Sequence, residues 1–154
     1  MKLRTTMLLL VTALVGATMC FAADLNIGIW KLNEAKSKLD PGMPKNLTVT
    51  YEAVGDSIKA TVDGVDAEGK ATHNEWTGKF DGKDYAVVGD PNADTRSLKE
   101  IDAHTLELKN KKGGKVTITG RIVVAPDGKS RTLTASGMNA EGKKIRAVSV
   151  YDKQ

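Results

Sequence analysis

The side chains that most often carry catalysis or bind metal are sparse in this chain: two histidines, one cysteine and nineteen acids. His73 and His104 lie far apart, and neither has acids spaced to complete a metal shell. His104 falls in the turn Asp102-Ala103-His104. His73 alternates with Glu75, Thr77 and Lys79, the pattern of a wet strand face. Asp63, Asp66, Glu68, Asp81, Asp84, Asp90, Asp94, Asp102 and Asp127 sit in or beside glycine-containing turns, where a carboxylate supports the turn itself. The stretch from Asp63 to Gly69 lacks the alternating acids and distal glutamate of a calcium loop. No serine occupies a Gly-x-Ser-x-Gly turn, and Gly113-Gly114 opens no helix that would cradle phosphate. These residues therefore give no catalytic set, no metal ligands and no cofactor, and the chain reads as a non-enzymatic protein.

Binding chemistry is better represented. Trp30, Tyr51, Trp76, Phe80, Tyr85 and Tyr151 are nearly all the aromatic rings. Tyr51 alternates with apolar residues. Trp76 and Phe80 share a strand face with Asn74 and Thr72, an interior-type face of mixed polarity that suits an amphipathic ligand or water. Arg131 shares a face with Leu133 and Ala135, and a guanidinium on an apolar face must find a carboxylate, a carbonyl or a ligand anion. The candidate ligand-binding residues are thus Trp30, Tyr51, Trp76, Tyr85, Arg131 and Tyr151. For each ring the competing reading is simple core filling. For Arg131 it is a place at the rim, stem packed and head in water.

The first twenty-odd residues stand apart. Lys2 and Arg4 precede an uncharged apolar run from Met7 to Met19, followed by Cys20-Phe21-Ala22-Ala23. That is the three-part pattern of a secretory signal peptide, with cleavage expected after Ala22. The run is too short to span a bilayer, which needs about 20 apolar residues. Acylation at Cys20 is disfavoured because Met19, and no small residue, precedes it. The expectation is a signal peptide over 1–22 and one domain over 23–154, secreted or periplasmic. Lys2 and Arg4 leave with the signal, so the formal charge of +4 falls to +2. Lysines interleave with acids throughout, which argues against nucleic acid, whose phosphates demand clustered basic residues. Cys20 leaves too, and the mature chain has no disulfide, so burial alone must stabilise it.

The remaining chain must position these groups with strands. Period-two runs alternate with turn chemistry over residues 28–32, 47–53, 57–62, 71–80, 85–88, 95–101, 105–110, 115–124, 130–136 and 144–151. In the second run Leu47, Val49, Tyr51 and Ala53 share a face, and in the eighth Val116, Ile118, Ile122 and Val124 do. Gly55-Asp56, Asp81-Gly82, Asp127-Gly128 and Glu141-Gly142 mark tight connections. Parallel pairing would need crossovers for which there is no room. An antiparallel meander of about ten strands removes its edges by closing, so the fold class is all-β, an up-and-down barrel. Residues 33–46, with Pro41 and Pro44, allow at most a helical turn and a crossing loop or lid.

Gly28-Ile29-Trp30-Lys31-Leu32 resembles the G-x-W-K-L opening of intracellular fatty-acid-binding proteins, and its G-x-W core is similar to that of lipocalins. Val150-Tyr151-Asp152-Lys153 resembles the V-Y-E-K ending of the former. The resemblance implies a lipocalin-like barrel holding an apolar ligand, with Trp30 at the floor and Tyr151 offering a hydroxyl to the lumen. The pattern departs at two points: residues 33–46 are too short for the family's helix pair, and Ser149 stands where its ligand-binding arginine would be. The sequence as a whole is read as an exported monomer that binds a small apolar or amphipathic molecule, a lipid or fatty acid among the candidates. The alternative is an interaction or structural module of the cell envelope with a filled core.

Overall fold

The computed structural model describes residues 25–138 and 142–154; the signal-peptide pattern lies outside the described residues. The strands are β1 (Gly28–Leu32), β2 (Lys38–Leu39), β3 (Lys45–Val54), β4 (Ser57–Val65), β5 (Ala71–Gly78), β6 (Tyr85–Val88), β7 (Thr95–Asp102), β8 (Thr105–Lys112), β9 (Lys115–Val124), β10 (Ser130–Met138) and β11 (Lys144–Lys153). Neighbours pair antiparallel in chain order from β3 to β11, and β1 pairs with both β3 and β11. The sheet is therefore closed. A 3-10 turn at Glu34–Lys36 interrupts the first stave, and beyond it β2 continues along β11, with Leu39 opposite Ala147. Among the described residues eleven strands thus make a ten-stave, antiparallel barrel. Among the described residues no helix is long and apolar enough to cross a membrane.

Up-and-down order sends alternate connections to opposite ends. The turns β3–β4, β5–β6, β7–β8 and β9–β10 join the chain's first described residues at one end, the floor. The crossing loop 40–44 and the connections β4–β5, β6–β7, β8–β9 and β10–β11 surround the other, the mouth. The main core fills the floor half: Trp30, Tyr51, Trp76, Leu98, Leu106, Val124 and Tyr151 are all buried. A smaller cluster of Met43, Ala135, Ile145 and Ala147 lies toward the mouth.

Two residues expected inside face out. Leu47 is 37% exposed and Val116 is 52% exposed. Each sits at a break in pairing: β3 slips against β4 between Asn46 and Thr48, and β8 slips against β9 between Asn110 and Lys111. A bulge adds one residue to one strand and reverses the alternation beyond it. Asn46, one residue before Leu47, consequently turns inward. Opposite the first bulge stands Gly64. A β-carbon there would lie 2.3 Å from the Lys45 carbonyl oxygen, so only glycine fits the crossing.

Candidate functional site

A cavity of about 120 Å³ remains inside the barrel. Its deep wall is built by Arg131 at the start of β10, Tyr51 on β3 and Tyr151 on β11. Val49, Leu108 and Ile122 form an apolar waist. Asn74, Asn110, Arg96 and Asp90 stand toward the mouth, where Met43 hangs from the crossing loop.

Arg131 pairs in register with Val124 and Tyr151, which points its side chain inward, and it is 3% exposed. Its guanidinium carbon lies 4.7 Å from the Trp30 ring centroid, 5.0 Å from Tyr51 and 5.2 Å from Tyr151. Three electron-rich faces therefore cage the cation, each contributing roughly 0.5–2 kcal/mol. Its Nη1 is buried without a hydrogen-bond partner, and among the described residues no carboxylate pairs with it. Burial lowers the Arg131 pKa from its ordinary value, while Tyr51 and Tyr151 work in the opposite sense. The rings only partly offset a desolvation penalty of several kcal/mol. The cavity is thus lined at its depth by a positive charge that has no carboxylate partner among the described residues.

The surrounding side chains hold that group in place. Trp30 is fully buried, and its indole N–H donates to the Asn26 carbonyl at 2.7 Å. Tyr151 O–H donates to the Asn46 carbonyl at 3.1 Å, a contact made possible by the inward turn at the first bulge. Burial pushes the Tyr151 pKa up to about 12. The unfolded chain ionises this phenol near 10, so stability from the neutral, buried form is complete below pH 10 and declines up to about pH 12. The loss amounts to about 3 kcal/mol. Tyr151→Phe should flatten that alkaline decline, as measured by urea unfolding between pH 9 and about 12.

Toward the mouth Arg96 is also buried, with every guanidinium nitrogen engaged. Nε donates to Asn110 Oδ1 at 2.9 Å, Nη1 to Asn74 Oδ1 at 3.3 Å and Nη2 to Asp90 Oδ2 at 3.2 Å. Burial lowers its pKa, and Asp90 favours the charged form. Asp90 belongs to the β6–β7 connection, so this ion pair ties one mouth loop to the wall. The facing loop is tied by Asp40, whose carboxylate accepts from the Arg146 backbone N–H at 2.9 Å. Between them Met43 is inserted and buried. Met43→Ala should widen the lumen at a stability cost of about 2 kcal/mol, read by urea unfolding.

Of the residues singled out from sequence, Tyr51, Arg131 and Tyr151 line the cavity together. Trp30 lies beyond the lining, against Arg131. Trp76 and Tyr85 stand away from it, in a cluster where Trp76 stacks on Phe80 at 6.5 Å and meets Tyr85 edge-on at 5.9 Å. The Trp76 indole donates to the Arg96 carbonyl at 2.9 Å, which links that cluster to the mouth. Arg131 is inside, away from the rim. Arg96, Asn110 and Met43 were not anticipated. Arg96 alternates with Leu98, and Asn110 with Leu106 and Leu108, the same signal that exposed Arg131. Met43 lies between two prolines and follows no period. His73 stands on the outer wall, its Nδ1 2.6 Å from Asp63 Oδ1, and His104 Nδ1 meets the Val124 carbonyl at 3.1 Å. Among the described residues no group of three or more histidines, cysteines and acids is placed to hold a metal ion.

No protein-family model matches the chain, and no curated protein sequence does. Solved structures do resemble it. The chain is similar to EF1p2_mFAP2b bound to DFHBI, at 11% identity and a TM-score of 0.50, over 89% of this chain and 100% of that one. It is also similar to a redesigned beta barrel, mFAP1, bound to DFHBI, at 13% identity and a TM-score of 0.44, over 83% and 96% of the two chains. At these identities the likeness is one of fold, and the chain is a closed antiparallel β-barrel of that kind.

Proposed function

We propose that this protein is an exported binder of a small amphipathic acid, which sits inside the barrel with its anionic group on Arg131. The observation that carries this reading is a buried Arg131 that lines the cavity and whose Nη1 has no hydrogen-bond partner. A carboxylate or similar oxyanion placed there supplies the counterion that the described residues lack. Such charge-assisted bonds are short and strong in a dry site. The apolar waist receives the rest of the molecule. A barrel of this fold bound to DFHBI, and the likeness of the first and last strands to fatty-acid-binding proteins, agree with a ligand in the lumen.

Size sets the ligand class. Drug-sized ligands occupy about 300–1,000 Å³, whereas an engineered cavity of about 150 Å³ holds benzene. At about 120 Å³ this lumen takes a group near benzene in bulk, and a long acyl chain does not fit. The same small volume favours a second reading, an interaction module with a packed core. Calorimetric titration separates the two. Isocaproate or benzoate should bind, and the matched neutral amides should not; a lumen that ignores both acids and amides is a packed core. Export rests on the residue pattern over 1–22, and mass spectrometry of the secreted product should find Ala23 as its first residue.

A further inference from the structure

We infer that the lumen is graded along its axis and selects acids that carry a second, uncharged acceptor oxygen at the far end. This rests on the binding reading above and names the chemistry of the ligand's other end. Asn74 and Asn110 both line the cavity, and both turn their Oδ1 atoms to Arg96. An amide whose oxygen turns to Arg96 leaves its nitrogen, a donor only, for another partner. The mouth half of the cavity therefore offers two N–H donors across the apolar waist from Arg131. A carbonyl, ether or hydroxyl oxygen satisfies them.

A second carboxylate would not be equivalent. The charge of Arg96 is already answered by Asp90, and each of its nitrogens is engaged. Asp66 lines the same end. A second anion arriving there meets two carboxylates and no cation in want of a partner, and like charges at short range in a partly dry site repel. The graded lumen thus ranks ligands in the order neutral acceptor, apolar end, anionic end.

Isosteric acids test the order in the unmodified protein. Levulinate, isocaproate and succinate share one skeleton and differ only in a ketone, a branched methyl or a carboxylate at the far end. para-Acetylbenzoate, para-isopropylbenzoate and terephthalate repeat the comparison on a longer, rigid frame. By calorimetry the ketone member of at least one set should bind about fivefold tighter than the apolar member, the value of one net hydrogen bond, and the dianion should bind weakest. Asn110→Asp keeps the oxygen that faces Arg96 and removes one of the two donors, so it should shrink the ketone's advantage while the apolar acid still binds. Equal or tighter binding of the apolar member in both sets overturns the inference and leaves the acid-binding reading standing. A dianion that binds tightest overturns it in the same way. If none of the six acids binds, both readings fall together.

Discussion

Arg131→Met should abolish binding of small acids while making the ligand-free protein more stable. The two effects have one cause. Arg131 is buried with an unpartnered Nη1, and its compensation among the described residues comes from three aromatic rings and the Tyr51 hydroxyl, with no carboxylate. Removing a buried charge from water costs several kcal/mol, and exchanging buried ionic groups for apolar ones of similar volume often stabilises by about 1–4 kcal/mol. Cation–π attraction to the rings offsets part of that cost. The urea midpoint should therefore rise by the equivalent of about 1–3 kcal/mol. Losing the cation that holds a buried carboxylate costs about 2–5 kcal/mol of binding, roughly thirtyfold to several-thousandfold in affinity. Arg131→Lys should bind acid weakly, because an ammonium cannot reproduce the planar fork. A variant that is less stable than the parent yet still binds acid would show that Arg131 is a structural cation held by its rings, and the ligand reading would fail.

Trp30→Ala should be the most damaging single substitution in the floor. The side chain is fully buried, donates to Asn26 and backs the guanidinium of Arg131. Tryptophan-to-alanine changes in cores cost about 3–5 kcal/mol through lost transfer energy and the cavity left behind. Against a domain total of about 5–15 kcal/mol, that brings the chain close to unfolding. Trp76 remains as a fluorescent reporter for the urea titration. Trp30→Phe keeps most of the packing but removes the indole donor to the Asn26 carbonyl, and should cost about 1–3 kcal/mol. A small effect of Trp30→Ala would mean that the described 25–27 segment moves in to fill the space.

Strand positions were legible because each strand is half-buried, so apolar residues recur every second position and turn residues mark the ends. The run 57–62 is an example: Ile58, Ala60 and Val62 alternate with polar neighbours, and all three are inside. The same rule failed at Leu47 and Val116 because a bulge is a property of two paired strands, invisible in either alone. Arg131 was legible as a candidate by its apolar companions, which left lumen and rim both open. Its sandwich of Trp30, Tyr51 and Tyr151 was not, because those rings come from β1, β3 and β11, brought round only by closure. Trp76 and Tyr85 show the limit from the other side. Alternation puts a ring inside a barrel but cannot say whether it borders space or another ring.

The sequence by itself determined the number of staves, their antiparallel order and the inward set on most of them, since period, turn chemistry and short connections are local in the chain. The tertiary structure alone decided how much of the interior is empty, which of two inward arginines keeps an unpartnered Nη1, and what stands at the mouth. Those depend on side-chain volumes and hydrogen-bond partners summed across strands far apart in the chain. Asp90 satisfies Arg96 because a loop folds back over it, and among the described residues no carboxylate reaches Arg131.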